Sequence, residues 1–346
     1  MTGRGHRIRD VADQSGLSPA TVDRVLHGRP GVSPRAVRAV EAALLELDRQ
    51  AAQVRLSRRA LFVDVVLDAP GRFRDAVRSA TEEALGSVRP ATVRARFHES
   101  DGADPGVIAG VVDGLGAAGR VSHGIVLKAP DDERVAGAVR RAAARGIPAV
   151  TLVTDVAGSG RVAYVGLDNA AAGATAAYLL SLLVRGRTGA VLASVSHRAF
   201  LGEQERVASF RVRLAVTDPG REVVVVGDVH GDDAAMERVV DETLAAHPGV
   251  AGVYSMGGGN AGIARALAGR GLAAIPFLGH DLDADNVPLL RAGVLTAVLH
   301  HDLRSDLRAG LTQLVRAHGL LPGAPTSVTS APQVVTPWNI PPRLRP

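Results

Sequence analysis

Three groups of residues have the types and spacing that chemistry uses. Gly257, Gly259 and Gly262 spell G-x-G-x-x-G after an apolar run, with Asp281 downstream. Glycines so spaced let backbone N–H groups approach a pyrophosphate at a helix N-terminus, and a later carboxylate takes a ribose hydroxyl. The string falls late in the chain, not on a first strand–helix–strand unit, which argues against a dinucleotide site. His230, His300 and His301 stand beside Asp228, Asp232 and Asp302. A metal needs three or four ligands converging on one point, with outer partners fixing them, and a His-His-Asp string does not supply that. Ser194, Ser196 and His197 cluster at the end of another apolar run, without the G-x-S-x-G elbow of a serine hydrolase. The expectation is a protein that binds rather than catalyses, with no cofactor and no metal.

The first sixty residues point to a different chemistry. Residues 1–59 carry eleven Arg against six Asp or Glu, whereas the remaining 287 residues carry 29 basic and 29 acidic side chains, so the whole net charge of +5 lies at the N-terminal end. A basic module on a neutral body is the electrostatic footprint of phosphate binding. Apolar residues recur there at helical spacing in three sets: Ile8, Val11 and Ala12; Val22, Val25 and Leu26; Val37, Val40, Leu44 and Leu47. Ser18-Pro19 and Ser33-Pro34 each read as an N-cap serine followed by proline at the first helical position. Gly16 supplies the left-handed residue that turns the chain after the first helix. Three short helices with a tight turn between the first two make a helix-turn-helix, whose second helix meets base edges in the major groove with its N-terminal residues. Those residues are Pro19, Ala20, Thr21, Asp23 and Arg24. Arg24 suits guanine or a phosphate, and the Thr21 hydroxyl suits either. A small three-helix interaction domain is the alternative reading of the same pattern.

The string IRDVADQSGLSPATVDRVLHGRPGVSPRAVRAVEAALLEL, residues 8–47, resembles the headpiece of the lactose-repressor (LacI/GalR) family. The matching features are DVA in the first helix, G-L-S in the turn, TV-x-RVL in the second helix, and VS before a helix ending in EL. The resemblance places Pro19, Ala20, Thr21, Asp23 and Arg24 at the DNA. Asp23 stands where the family usually has serine, and a carboxylate there repels phosphate or accepts from cytosine N4. Beyond Leu47 the family typically continues with Gly-Tyr and a hinge helix reading roughly N-x-x-A-R-x-L, whose leucine wedges into the minor groove. Residues 48–57 read DRQAAQVRLS instead, and Leu56 is the candidate wedge, in a shifted register. The expected divisions are a headpiece over 1–48, a hinge over 49–59 and an effector-binding domain over 60–346.

From residue 60 the period changes. Short apolar runs at 60–68, 91–97, 123–129, 148–153, 163–167, 190–195, 222–229, 252–256, 275–279 and 295–300 alternate with helical stretches such as 72–86, 131–145, 170–185, 203–215, 233–246 and 260–270. Alternating strand and helix means parallel sheets covered on both faces, and this many strands fit two doubly wound lobes better than one. Aromatic residues are 3% of the chain against 46% hydrophobic, so Leu, Val and Ala fill the cores. No apolar run approaches the roughly 18 residues of a membrane span. The first residues lack the apolar stretch of a secretory signal, and there is no cysteine. A cytoplasmic location without membrane partners is expected.

The strings GIPAVTLVTD (146–155), YVGLDNAAAGATAAYLL (164–180), GGGNAGIARAL (257–267) and GHDL (279–282) resemble the type I periplasmic-binding-protein-like effector domain of the same family. The resemblance implies an α/β fold: two doubly wound parallel-sheet lobes behind the three-helix headpiece, with ligand in the cleft between them. It divides the lobes as about 60–167 plus 283–298 and about 168–282 plus 299–340. It places Phe73, Asp155, Gln204, Arg206, Asn260, Asp281, and His300 or His301 at the ligand. Carboxylates and amides suit vicinal hydroxyls, and an aromatic ring stacks on a sugar. The alternatives are a turn aspartate at Asp155, a core Phe73, and a solvated helix face for Gln204 and Arg206. The functional expectation is a homodimeric transcriptional regulator, a repressor released from a near-palindromic double-stranded DNA operator by a sugar or sugar derivative. The alternative from another class is an intracellular sugar- or nucleotide-processing enzyme with a vestigial headpiece.

Overall fold

A computed structural model describes residues 6–56, 60–88 and 91–344. Two compact units result, a headpiece and a larger two-lobed body.

The headpiece consists of α1 (Ile8–Ser15), α2 (Pro19–Leu26) and α3 (Pro34–Leu56). Both Ser-Pro starts act as caps: the Ser18 hydroxyl accepts from Thr21 N–H at 3.2 Å, and the Ser33 hydroxyl accepts from Ala36 N–H at 3.2 Å. Gly16 ends α1 at φ 67, a conformation that costs other residues a Cβ clash. Val11, Ala12, Val22, Val40 and Ala43 form the core, with Ile8, Leu17, Val25, Leu44 and Leu47 packed around them. Leu26, expected on the inner face, is the last residue of the eight-residue α2 and stands exposed. The 23-residue α3 runs unbroken through the segment where a separate hinge was expected. The reason is local, since residues 48–56 hold neither Gly nor Pro and are mostly strong helix formers.

The first lobe takes β1 (Ala60–Asp68), α4 (Gly71–Leu85), β2 (Thr92–Ser100), α5 (Pro105–Gly114), β3 (Gly124–Lys128), α6 (Glu133–Ala144), β4 (Ala149–Leu152) and β5 (Ala163–Leu167). The second takes α7 (Asn169–Leu183), β6 (Ala190–Val195), α8 (Leu201–Thr217), β7 (Val223–Gly227), α9 (Asp233–Ala246), β8 (Val250–Ser255), α10 (Asn260–Gly269), β9 (Phe277–His280), α11 (Asn286–Arg291) and β10 (Ala297–His300). The chain finishes with α12 (Leu303–Ala317), β11 (Val328–Ser330) and β12 (Gln333–Val335). Two six-stranded sheets result, ordered β11-β5-β4-β3-β1-β2 and β12-β10-β9-β8-β6-β7. The pairs β1–β3, β3–β4, β4–β5, β6–β7, β6–β8, β8–β9 and β9–β10 are all parallel. Helices cover both faces, which is why β3, β4, β6 and β8 are buried at every position and read as continuous apolar runs.

The C-terminal returns differ from the expected division. Residues 283–298 stay in the second lobe, because β10 pairs with β9 (Val298 opposite Gly279) and Leu290, Leu295 and Val298 join that lobe's core. The return to the first lobe comes at α12. There Gly310 faces Val150 and Val165, and a Leu314 methyl sits against Gly124. β11 then pairs with β5, and β12 goes back to β10, antiparallel. The chain therefore passes between lobes at 168, at 301–302 and at 331–332.

Candidate functional site

On the headpiece, the start of α2 presents Pro19, Ala20 and Arg24 exposed and Thr21 and Asp23 partly so, while Val22 turns into the core. The Thr21 hydroxyl lies 2.9 Å from that of Ser18, within the cap. Asp23 carries an ion pair with Arg29 at 3.0 Å, and the His27 ring lies 3.0 Å from its other oxygen. Its charge is matched within the headpiece, so the helix does not present a bare carboxylate to phosphate. The Leu56 side chain lies outside the described residues.

In the body, parallel strands of both lobes end at one narrow cavity of about 60 Å³. Pro70, Arg72 and Phe73 follow β1; Lys128 ends β3; Val153 and Thr154 follow β4. The second lobe adds Ser196 after β6, Phe200, Gly202, Glu203 and Arg206 at the start of α8, Met256 to Gly258 after β8, and His280, Asp281 and Asp283 at the end of β9. Ligands of doubly wound folds bind at this carboxyl edge.

Of the residues the sequence singled out, Phe73, Arg206 and Asp281 line the cavity. Asn260 is buried behind it, giving a hydrogen bond to Asn286 Oδ1 at 2.7 Å. His300 lies in the same buried layer and accepts from Leu282 N–H at 3.3 Å. His301 is buried against Asp281 and Asp306. Asp155 and Gln204 are elsewhere. Asp155 pairs with Arg161 and accepts from the Thr151 hydroxyl at 2.7 Å, closing its own loop. Gln204 is exposed, donating to the Arg198 carbonyl at 2.7 Å, because at the start of α8 it points opposite to Glu203 and Arg206. The sequence reading missed Arg72, Lys128, Phe200, Glu203 and Asp283. For Lys128 a signal existed: it is the only lysine in a chain with 40 basic residues, and it ends an apolar strand.

The charges come from both lobes. Lys128 donates to the Asp68 carbonyl at 3.1 Å and sits 3.6 Å from the Phe200 ring centre. Burial pulls its ammonium down to about 8, against the pull of Glu203 and Asp68. Burial likewise raises the Glu203 carboxyl, although Ser196 donates to it from both its hydroxyl and its N–H, the latter at 2.7 Å. Arg206 donates to Asn169 Oδ1 at 2.8 Å and to the Met256 carbonyl at 2.6 Å, which leaves it without a carboxylate partner among the described residues. At the rim Arg72, from the first lobe, pairs with Asp283 at 2.9 Å and reaches Asp285 at 3.5 Å, both in the second. The glycine string serves close packing: a Cβ on Gly257 would meet Ser196 Cβ at 2.6 Å, one on Gly259 would meet Met236 Cβ at 2.8 Å, and one on Gly262 would meet the Asp233 carbonyl at 2.0 Å. Among the described residues no group of three His, Asp or Glu is placed to hold a metal ion, and no helix is long and apolar enough to cross a membrane.

Comparison with known families decides the assignment. The profile of the bacterial regulatory proteins of the lacI family matches residues 7–49, and that of the periplasmic binding protein domain matches residues 71–317. The chain is a lacI-family protein with a periplasmic binding protein domain. No curated protein matches it. Among solved structures, a glucose-galactose binding protein from Geobacillus stearothermophilus is similar at 19% identity and a TM-score of 0.72, covering 82% of this chain and 100% of that one. A solute binding protein from Burkholderia graminis, in complex with D-arabinose, is similar at 25% identity and 0.71, covering 80% and 95%. A candidate LacI transcriptional regulator from Bacteroides fragilis matches at 16% and 0.70, covering 81% and 98%. This lacI-family chain departs from the usual headpiece at Asp23, and the pairs with Arg29 and His27 show how the departure is accommodated.

Proposed function

We propose that this protein is a sequence-specific transcriptional regulator, a repressor that leaves its operator when a sugar fills the cavity between its lobes. The observation that carries the reading is one chain joining a lacI-type headpiece to a cavity whose acceptors and donors come from both lobes. Asp281, Glu203 and Ser196 suit hydroxyl donors, Lys128 and Arg206 suit hydroxyl and ring oxygens, and Phe73 and Phe200 give apolar ring faces. A ligand that touches both lobes favours one arrangement of them, and that differential affinity is what a regulator converts into a change of DNA affinity. We read the protein as a cytoplasmic homodimer on a near-palindromic operator, binding rather than transforming its ligand. Solved relatives in complex with D-arabinose and myo-inositol motivate the probe set. The test is a thermal-shift screen with pentoses, hexoses, cyclitols and sugar acids, followed by fluorescence anisotropy on DNA from upstream of the gene. A ligand at about 100 times its Kd adds about 2.7 kcal/mol of stability. Equal affinity for scrambled DNA at moderate salt overturns the regulator, and a ligand consumed over time favours an enzyme.

A further inference from the structure

One charged cluster lies behind the cavity, at the second passage between lobes. The His301 side chain is fully buried, with Nδ1 bonded to Asp306 Oδ2 and Nε2 facing Asp281 Oδ1 at 3.4 Å. That separation is an ion pair just longer than a hydrogen bond, and neither Nε2 nor that oxygen has another hydrogen-bond partner. The two carboxylates belong to different lobes. Asp281 follows β9, lines the cavity and is held at φ 62, a conformation uncommon outside glycine. Asp306 stands in the first turn of α12, which packs on the first lobe. Asp306 also lies 3.5 Å from the Ser330 hydroxyl, beside the third passage, and the Ser330 carbonyl accepts from Asp168 N–H at 2.9 Å, at the first. One imidazole thus joins the cavity to all three chain passages between the lobes.

We propose that Asp281, His301 and Asp306 form a relay that orients the cavity carboxylate for the effector and ties its capture to the lobe passages, with His301 a positioning residue that works only as the imidazolium. The inference rests on the reading of the cavity as a sugar site. Neutral imidazole has a single N–H donor. With that donor given to Asp306, the Nε2 lone pair faces a carboxylate oxygen; with it given to Asp281, Asp306 loses its bond. Only the doubly protonated ring serves both. Burial opposes that charge, but the two carboxylates outweigh it and raise His301 to about 9. The remaining groups around it are His280 on β9, which burial and the nearby Arg206 charge keep neutral, Arg206 on α8, which favours the Asp281 carboxylate, and the His300 ring 6.3 Å away. Lys128, across the cavity, titrates near 8. As pH rises past 9, His301 loses a proton and Asp281 loses its donor.

The experiment measures D-arabinose affinity of the full-length protein by calorimetry from pH 6 to 10, with side-chain NMR of the histidines on the ligand-free protein. In the native protein the affinity falls above pH 9, approaching about tenfold per unit. His301→Gln removes that step and leaves any step near 8 from Lys128. Asp306→Asn moves the step to lower pH and leaves affinity below it within a few fold, which a purely structural role of Asp306 would not do. An unmoved step in Asp306→Asn overturns the relay, as does a His301 midpoint at or below 6.5 in the spectra. If no sugar binds at any pH, the sugar reading fails by itself, and the His301 midpoint still decides the relay. If His301→Gln does not fold, Asp306→Asn carries the test.

Discussion

The two candidate sites are built in opposite ways. The DNA-facing surface comes from one short helix, with Pro19, Ala20, Thr21, Asp23 and Arg24 within six consecutive residues. The cavity takes side chains from Pro70 to Asp283 and from both lobes. A contiguous site inherits its geometry from helix periodicity and one cap, so its exposed residues follow once Val22 is assigned to the core. A discontiguous site is set by sheet order and by the bends after each strand. There a shift of one position along a helix decides whether a side chain enters the cavity or leaves it. Glu203 and Gln204 are neighbours with opposite fates.

The largest expected effect tests the discontiguous site at its centre. Asp281→Ala removes an acceptor from the cavity and the second partner of His301. Losing a hydrogen bond to a charged group costs about 2–3 kcal/mol, or roughly 30- to 150-fold in sugar affinity. Calorimetry against D-arabinose reads this. An effect under threefold, with binding otherwise intact, would move the ligand away from the β9 end.

Next comes the contiguous site. Arg24→Ala removes the exposed guanidinium of α2 and is expected to cost about 1–3 kcal/mol of operator affinity while relaxing base preference at one position of each half-site. Selection from a random duplex pool shows this as a flattened column in the recovered site. A uniform loss with an unchanged site assigns Arg24 to phosphate instead.

Asp23→Ser separates two uses of one residue. The Asp23 oxygens face the Arg29 guanidinium and the His27 ring, so the expectation is that Asp23 holds Arg29 in place rather than reading cytosine. As the pairs are solvent-facing, the change in affinity is under about 1 kcal/mol. The recovered site keeps its bases and the salt dependence changes. Loss of a cytosine preference would give Asp23 a reading role and make the headpiece less like its relatives than its core implies.

The same contrast explains how much was legible beforehand. Strand and helix positions followed from period, because buried strands such as β3 and β4 must be apolar throughout and helices must show a stripe. The caps at Ser18 and Ser33 followed from local chemistry. The C-terminal returns did not, since nothing within 283–330 distinguishes a strand that pairs with β9 from one that pairs with β5. Only register and the fit of α12 against Gly124 decide it. Arg72 and Glu203 were illegible for a similar reason: each looks like a surface charge on a helix until the other lobe covers it.

Asp155 gives the smallest effect and the cleanest break between resemblance and geometry. The resemblance put it at the ligand. The structure places its carboxylate on Arg161, on the Thr151 hydroxyl and on the Val156 N–H at 2.9 Å, and it is not among the cavity's lining residues. Burial raises its carboxyl, but Arg161 and Thr151 reverse that, leaving it below the ordinary value. The stability this pair contributes is present above the ordinary carboxylate range and lost on acidification. Because Arg161 is partly open to solvent, screening limits the pair to at most about 1 kcal/mol. Asp155→Ala should lower the melting temperature slightly at pH 7, less at pH 4, and leave D-arabinose affinity unchanged within twofold. A large loss of affinity with normal stability would mean that the loop after β4 swings Asp155 into the cavity when ligand binds, and that the resemblance was the better guide.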